Sequence, residues 1–137
     1  MIRFAESPEK KEWYALDHGL AEKVFDEKVR ARQCYVCTED GKIIGILRFG
    51  LFWDSVPFCN MLYIDEQYRC RGYGKQLMER WEQDMKNAGF DMIMTSTQAD
   101  ETAQHFYRKL GYKDAGGFVV DVPGHEQPTE LIMIKAL

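Results

Sequence analysis

No stretch of this 137-residue chain approaches the roughly 20 consecutive apolar residues that a membrane-spanning helix needs. The opening "MIRFAESPEK" also lacks the apolar segment of a signal peptide, so the cytoplasm is the expected location. Basic residues are in deficit: 18 Lys and Arg against 22 Asp and Glu give a net charge of -4, which argues against a general nucleic-acid binder. Only 4 prolines occur, and no repeat, linker or low-complexity segment divides the sequence. One domain spanning residues 1–137 is therefore expected. Phosphate loops of the two commonest kinds are missing. Lys75 is followed by Gln76 where GxxxxGK[ST] needs a hydroxyl residue, and Leu77 stands where a dinucleotide fingerprint needs its third glycine.

Cysteine is scarce too, with Cys34, Cys37, Cys59 and Cys70. The CxxC in "RQCYVCTED" invites a redox or zinc reading. Against it, a redox pair sits at a helix start, and zinc needs two further ligands at suitable spacing. The flanking residues read as a strand, where positions three apart point to opposite faces. Reduced thiols in a half-buried strand are the expectation, with no metal.

What is present is ordinary for a globular chain: 45% hydrophobic and 29% charged residues. "IRFA" reads as a short strand, and Ser7-Pro8 as a helix start capped by Ser7. Trp13, Leu16, Leu20, Val24 and Phe25 keep helical spacing through about Arg30, with Gly19 able to divide the region in two. "QCYVCTED" and "KIIGILRFGLFW" are strands around a hairpin turn at "EDGK", and "FCNMLYI" is the next strand. A helix opening near Gly72 carries Leu77, Met78, Trp81 and Met85 on one face and stops at Gly89. "FDMIMTST" is a strand, "DETAQHFYRKL" a helix stopped by Gly111, and "GYKDAGGFVVDV" and "TELIMIKAL" close the chain as strands. The order β-α-α-β-β-β-α-β-α-β-β makes an α/β fold, a mixed sheet with helices on its faces.

Between the third of the central strands and its helix lies "QYRCRGYGKQLMERW". Gly72 and Gly74 let the chain turn tightly, and their missing side chains let a ligand approach the peptide nitrogens. The first helical turn leaves N–H groups without partners at its positive dipole end. Together these can hold phosphate oxygens, with Arg69, Arg71 and Lys75 adding positive charge. A plain tight turn with solvated arginines is the other reading.

Arg69-x-x-Gly72-x-Gly74 after an apolar strand resembles the acetyl-CoA pyrophosphate loop of the GNAT-type N-acetyltransferases. Farther on, "DETAQHFYRKLGY" resembles that superfamily's second signature, N-x-x-A-x-x-x-Y-x-x-x-G-[FY], through Ala103, Tyr107, Gly111 and Tyr112. The element order matches as well, so the resemblance covers essentially the whole chain. It implies acetyl-CoA as co-substrate and a primary amine as acceptor. The strand end Leu62, Tyr63 and Ile64 would pair with the pantetheine amides. The pyrophosphate would sit on the backbone of Arg69, Cys70, Arg71, Gly72, Tyr73, Gly74 and Lys75, mostly on the amides of Cys70, Gly72, Gly74 and Lys75. Tyr107 would be the general acid for the departing thiolate, since a phenol stays protonated at neutral pH; a core tyrosine on the stripe of Phe106 and Leu110 is the competing role.

Two departures from the pattern stand out. Asp100 replaces the usual asparagine and is read as a helix cap rather than a cofactor ligand. Many relatives place a glutamate on the strand before the loop, whereas here that strand carries Asn60 and no carboxylate, leaving Asp54 as the candidate base ahead of Asp65 and Glu66. Phe52, Trp53 and Tyr63 line an acceptor pocket or belong to the core, and His125 lies in the "PGHEQP" loop, where this fold often meets the acceptor. A short chain without an extra domain points to a small-molecule amine. A protein or peptide amine, and a non-catalytic CoA-binding sensor, are the alternatives. The resemblance also leaves a homodimer open.

Overall fold

The computed structural model describes residues 1–137. Seven strands and four helices follow in the expected order: β1 (Ile2–Phe4), α1 (Lys10–Tyr14), α2 (Glu22–Arg30), β2 (Cys34–Glu39), β3 (Lys42–Phe52), β4 (Val56–Ile64), α3 (Tyr73–Asn87), β5 (Met92–Gln98), α4 (Ala103–Lys109), β6 (Lys113–Phe118) and β7 (Glu130–Ala136). This is the mixed α/β class read from the sequence. The residues pack as two compact units, Met1–Gly50 with Cys59–Asp84, and Leu51–Phe58 with Met85–Leu137.

In the first unit the strands lie side by side in the order β1-β2-β3-β4. The turn joining β2 to β3 puts Asp40 at φ 50° and Gly41 at φ 77°, between the paired Glu39 and Lys42. Two left-handed residues in a two-residue turn match the twist of the strands, which is why "EDGK" reads as a hairpin. Cys34 through Cys37 are all buried, because both faces of β2 are covered. Trp13 of α1 and Phe25 of α2 pack with Cys34, Val36 and Ile46 on one side. On the other side Tyr35, Phe49 and the fully buried Trp81 of α3 form a chain of ring contacts at 6.3 and 5.7 Å. Each large side chain so buried contributes about 1.5–3 kcal/mol. The paired thiols of the CxxC thus end in separate layers: Cys34 belongs to the α1/α2 core, while Cys37 faces the point where Gly45 meets Leu77. Burial raises both thiol pKa values, that of Cys34 to about 12, which leaves neither with thiolate character at neutral pH.

The amino-terminal helix starts differently from the expectation. Ser7 is not the cap; it lies within a single 3-10 turn, Ser7–Glu9, whose N-cap is Glu6. Glu9 reaches back to accept from the Glu6 N–H at 2.8 Å while holding Arg3 at 2.6 Å. A carboxylate that satisfies an orphan amide and an arginine together displaces a serine cap. Gly19 does separate two helices, and Asp17 just before it is fully buried. Its carboxylate accepts from Trp13 Nε1 at 3.1 Å, Arg48 Nε at 2.8 Å and the Gly19 N–H at 3.3 Å. Asp17→Asn removes the charge and turns one acceptor into a donor facing these N–H groups. A stability loss of about 2 kcal/mol is expected from the shift in urea midpoint, whereas a shift below about 0.5 kcal/mol contradicts this account of Asp17.

In the second unit β7 lies between β5 and β6 and pairs antiparallel with both. Thr97 on β5 is buried, with no hydrogen-bond partner for its hydroxyl. Thr97→Val keeps the branched shape and removes that hydroxyl, so chemical denaturation should show a gain of about 1 kcal/mol; a loss would reveal a hidden partner.

Candidate functional site

Beyond Ile64 the chain leaves the sheet through Asp65, whose carboxylate accepts from the Gln67 N–H at 3.1 Å and caps a 3-10 turn at Glu66–Tyr68. Two left-handed residues follow, Cys70 at φ 62° and Gly72 at φ 87°. They reverse the chain into α3, where the Gln76 N–H makes the first helical closure, to Gly72 O at 3.0 Å. Among Cys70 to Lys75 no backbone N–H finds an acceptor in the chain. Six consecutive amides at a helix mouth thus stay open on an exposed to half-buried segment, the arrangement that attracts an anion.

The side chains are arranged less freely than the sequence suggested. Arg69 is not a loose cation over the loop: its Nε donates to Ile64 O at 2.9 Å and its guanidinium lies 5.0 Å from the Tyr63 ring centre. The positive charge is thereby pinned to the strand end, and Ile64 O is already engaged. Arg71 lies 5.3 Å over the Tyr68 ring. Lys75 Nζ is 3.8 Å from Glu79, one helical turn on. Tyr73 donates its hydroxyl to Glu39, and that hydrogen bond raises the phenol's pKa. Glu39 escaped sequence reasoning because it lies 34 residues from Tyr73 and belongs to β2. Leu62, Tyr63 and Ile64 are half-buried, and Tyr63 packs against the α1/α2 core. Among the sequence-selected residues, the structure therefore gathers Leu62 through Lys75 on one strand–turn–helix corner.

Tyr107 and Asp54 belong to the second unit. Helix α4 ends in a double closure, with the Tyr112 N–H bonding Tyr107 O at 3.1 Å and the Gly111 N–H bonding Arg108 O at 3.0 Å around Gly111 at φ 95°. This six-to-one and five-to-two pairing requires the left-handed residue that glycine supplies. It also brings the two tyrosines together, their rings edge-to-face at 5.7 Å, with Phe106 at 5.3 Å. The spacing Y-x-x-x-G-Y is the sequence form of that cap. Tyr107 is buried at 6% exposure, so its ring is held in place.

The helix start departs from expectation. The N-cap of α4 is Thr102 rather than Asp100. The Gln104 amide donates to the carbonyls of Ala99 at 2.8 Å and Glu101 at 3.0 Å, which fixes the entering chain without the aspartate. Asp54 is exposed in the turn after β3, left-handed together with Trp53. Trp53 is 76% exposed and lies tilted against Phe52, which in turn stacks with Phe58. These aromatics form a surface cluster and not a core. No group of three or more His, Cys, Asp or Glu is placed to hold a metal ion, and no helix is long and apolar enough to cross a membrane.

Residues 2–112 match the model of the Acetyltransferase (GNAT) family. Solved structures with the same fold include the ribosomal-protein-S18-alanine N-acetyltransferase from Escherichia coli, at TM-score 0.82 and 19% identity over 99% of this chain and 92% of that one. Ard1 from Thermoplasma volcanium superposes at TM-score 0.87 with 15% identity, covering 100% and 97%. A GNAT family acetyltransferase from Elizabethkingia anophelis, solved with acetyl-CoA bound, reaches 0.75 with 16% identity over 100% and 97%. A search of curated protein sequences finds no match to the chain. With the family model covering most of its length and the strand–turn–helix corner in place, this chain belongs to the acetyltransferase (GNAT) family.

Proposed function

We propose that this chain transfers the acetyl group of acetyl-CoA to a primary amine of a small molecule. The observation that carries the cofactor half is the run of unpaired amides from Cys70 to Lys75 beside Arg71 and Lys75. Pyrophosphate oxygens would accept from these N–H groups, and the half-buried end of β4, residues 62–64, would run along the pantetheine arm. Arg69, tied to Ile64 O, would keep that strand end and the loop in fixed relation.

In the reaction the amine nitrogen attacks the thioester carbonyl, an N–C bond forms and the C–S bond breaks. The Tyr107 phenol would give its proton to the departing thiolate, and Asp54 would take the proton lost by the amine. Asp54 is solvated at a turn, so Asp54→Asn is the direct check of that role. A fall of about tenfold in kcat/KM supports it, and an unchanged value hands the proton to water.

Thiol release from acetyl-CoA with a panel of polyamines, aminoglycosides, amino acids and short peptides tests the whole reading. Turnover with one class of small amine is expected. Turnover confined to peptides would identify a protein or peptide N-acetyltransferase. Thermal stabilisation by acetyl-CoA without turnover on any amine would identify a CoA-binding sensor.

A further inference from the structure

A cleft of about 400 Å³ opens in the first unit between the amino-terminal helical segment, the β2–β3 turn and Asp65. None of Cys70 to Lys75 lines it. Pro8, Glu12, Ala15 and Leu16 do, and their three- and four-residue spacing through the Ser7–Glu9 turn and α1 sets them on one side of that segment. Gly41, Lys42 and Ile43 line it from the β2–β3 turn. Leu16 and Ile43 are buried members of the α1/α2 core that reach this space, so the cleft has an apolar surface. Its size is that of a small-molecule site.

Four charged side chains complete the lining, and Glu9, Glu12 and Asp65 outnumber Lys42. Glu9 is fully engaged: its two oxygens hold Arg3 at 2.9 and 2.6 Å, and Oε1 also accepts from the Glu6 N–H. Asp65 is engaged on one side only. Its Oδ1 accepts from the Gln67 N–H, whereas Oδ2 meets Lys42 Nζ at 3.9 Å, beyond hydrogen-bond reach. Lys42 divides its charge between that carboxylate and the Tyr68 ring, 5.7 Å away. Glu12 has no hydrogen bond and no ion pair in the chain. An unclaimed carboxylate thus shares its helix side with Pro8, Ala15 and Leu16, where a solvated face would carry polar residues. An anion entering here would meet Glu12 and Asp65 against one lysine. A cation with an apolar body satisfies both parts of the lining, its charge on the acids and its body on Leu16 and Ile43.

We infer that this cleft binds a small organic cation, an ammonium compound with an aliphatic body, through Glu12 and Asp65. The site goes beyond the acetyltransferase reading and does not rest on it.

The test is a titration with n-hexylammonium chloride in the absence of acetyl-CoA, following the amide resonances of Glu12, Ala15, Gly41, Lys42 and Asp65 by NMR. Saturable shifts at these residues are expected, and each methylene added from butyl- to hexylammonium should tighten binding about threefold. Hexanol, with the same chain and no charge, should bind at least about fivefold more weakly. Glu12 and Ala15 are exposed, so substitutions there leave the core intact. Glu12→Gln should bring hexylammonium to within about twofold of hexanol. Ala15→Trp puts an indole into the cleft and should abolish the binding of both. No saturable shift in the wild type overturns the site, and so does a response unchanged in either variant. An affinity that ignores chain length overturns it too, since it reports surface ion pairing alone. With no acetyl-CoA in the titration, each of these failures leaves the acetyltransferase reading untouched.

Discussion

Gly72→Val is expected to weaken acetyl-CoA binding by about a hundredfold or more. The cause is backbone conformation, since a Cβ at residue 72 would meet nothing closer than Gln76 Nε2 at 3.9 Å. At φ 87°, however, a β-branched residue is strained by roughly 1–3 kcal/mol, and the segment is exposed and free to relax. Relaxation turns the peptide planes on both sides of residue 72 and withdraws their N–H groups from a common focus. A hydrogen bond to a charged group contributes about 1.5–3 kcal/mol, so two displaced amides account for the expected loss. Calorimetric titration with acetyl-CoA measures it, alongside a melting curve to show that α3 remains docked through Leu77, Met78 and Trp81. Binding retained within about threefold would mean that the loop does not hold the pyrophosphate.

Tyr107→Phe is the second large effect, and it should appear in kcat. The substitution keeps the ring and therefore its packing against Phe106 and Tyr112. It also leaves the backbone cap around Gly111 untouched, and a melting curve reports any change in stability separately from the chemistry. A thiolate, with a reference pKa of about 8.5, is a far better leaving group than an alkoxide. The phenol's proton is then worth the lower end of the range for general acids, about a hundredfold in kcat. Single-turnover thiol release separates this step from binding, and KM for acetyl-CoA should change by less than about threefold. A loss of less than about threefold in kcat would make Tyr107 a core residue and nothing more.

Where the sequence reading succeeded, the determinant was local. "EDGK" specifies its turn because Asp40 and Gly41 tolerate left-handed backbone, and Gly89 ends α3 by the same route, with the Phe90 N–H on Met85 O at 3.1 Å. The turn into α3 is visible for the same reason: a left-handed Gly72 and a helix start lie within a few residues. Its failures came from side chains that outcompete a local preference. Glu9 took the capping-box role ahead of Ser7 because it could bind Arg3 in the same position, and α4 starts from Thr102 rather than Asp100, with the Gln104 amide tying down the Ala99 and Glu101 carbonyls. Arg69 looked free because its acceptor, a strand carbonyl, is invisible in the sequence.

Amide resonances of the uniformly labelled protein, followed during titration, give the most direct test of the pyrophosphate loop. Acetyl-CoA should produce large saturable shifts at Cys70, Gly72, Gly74 and Lys75. S-acetylpantetheine, which lacks the pyrophosphate, should move residues 62–64 and leave those four amides nearly in place. If acetyl-CoA binds while the amides from Cys70 to Lys75 stay unmoved, the anion-binding role of this corner is wrong.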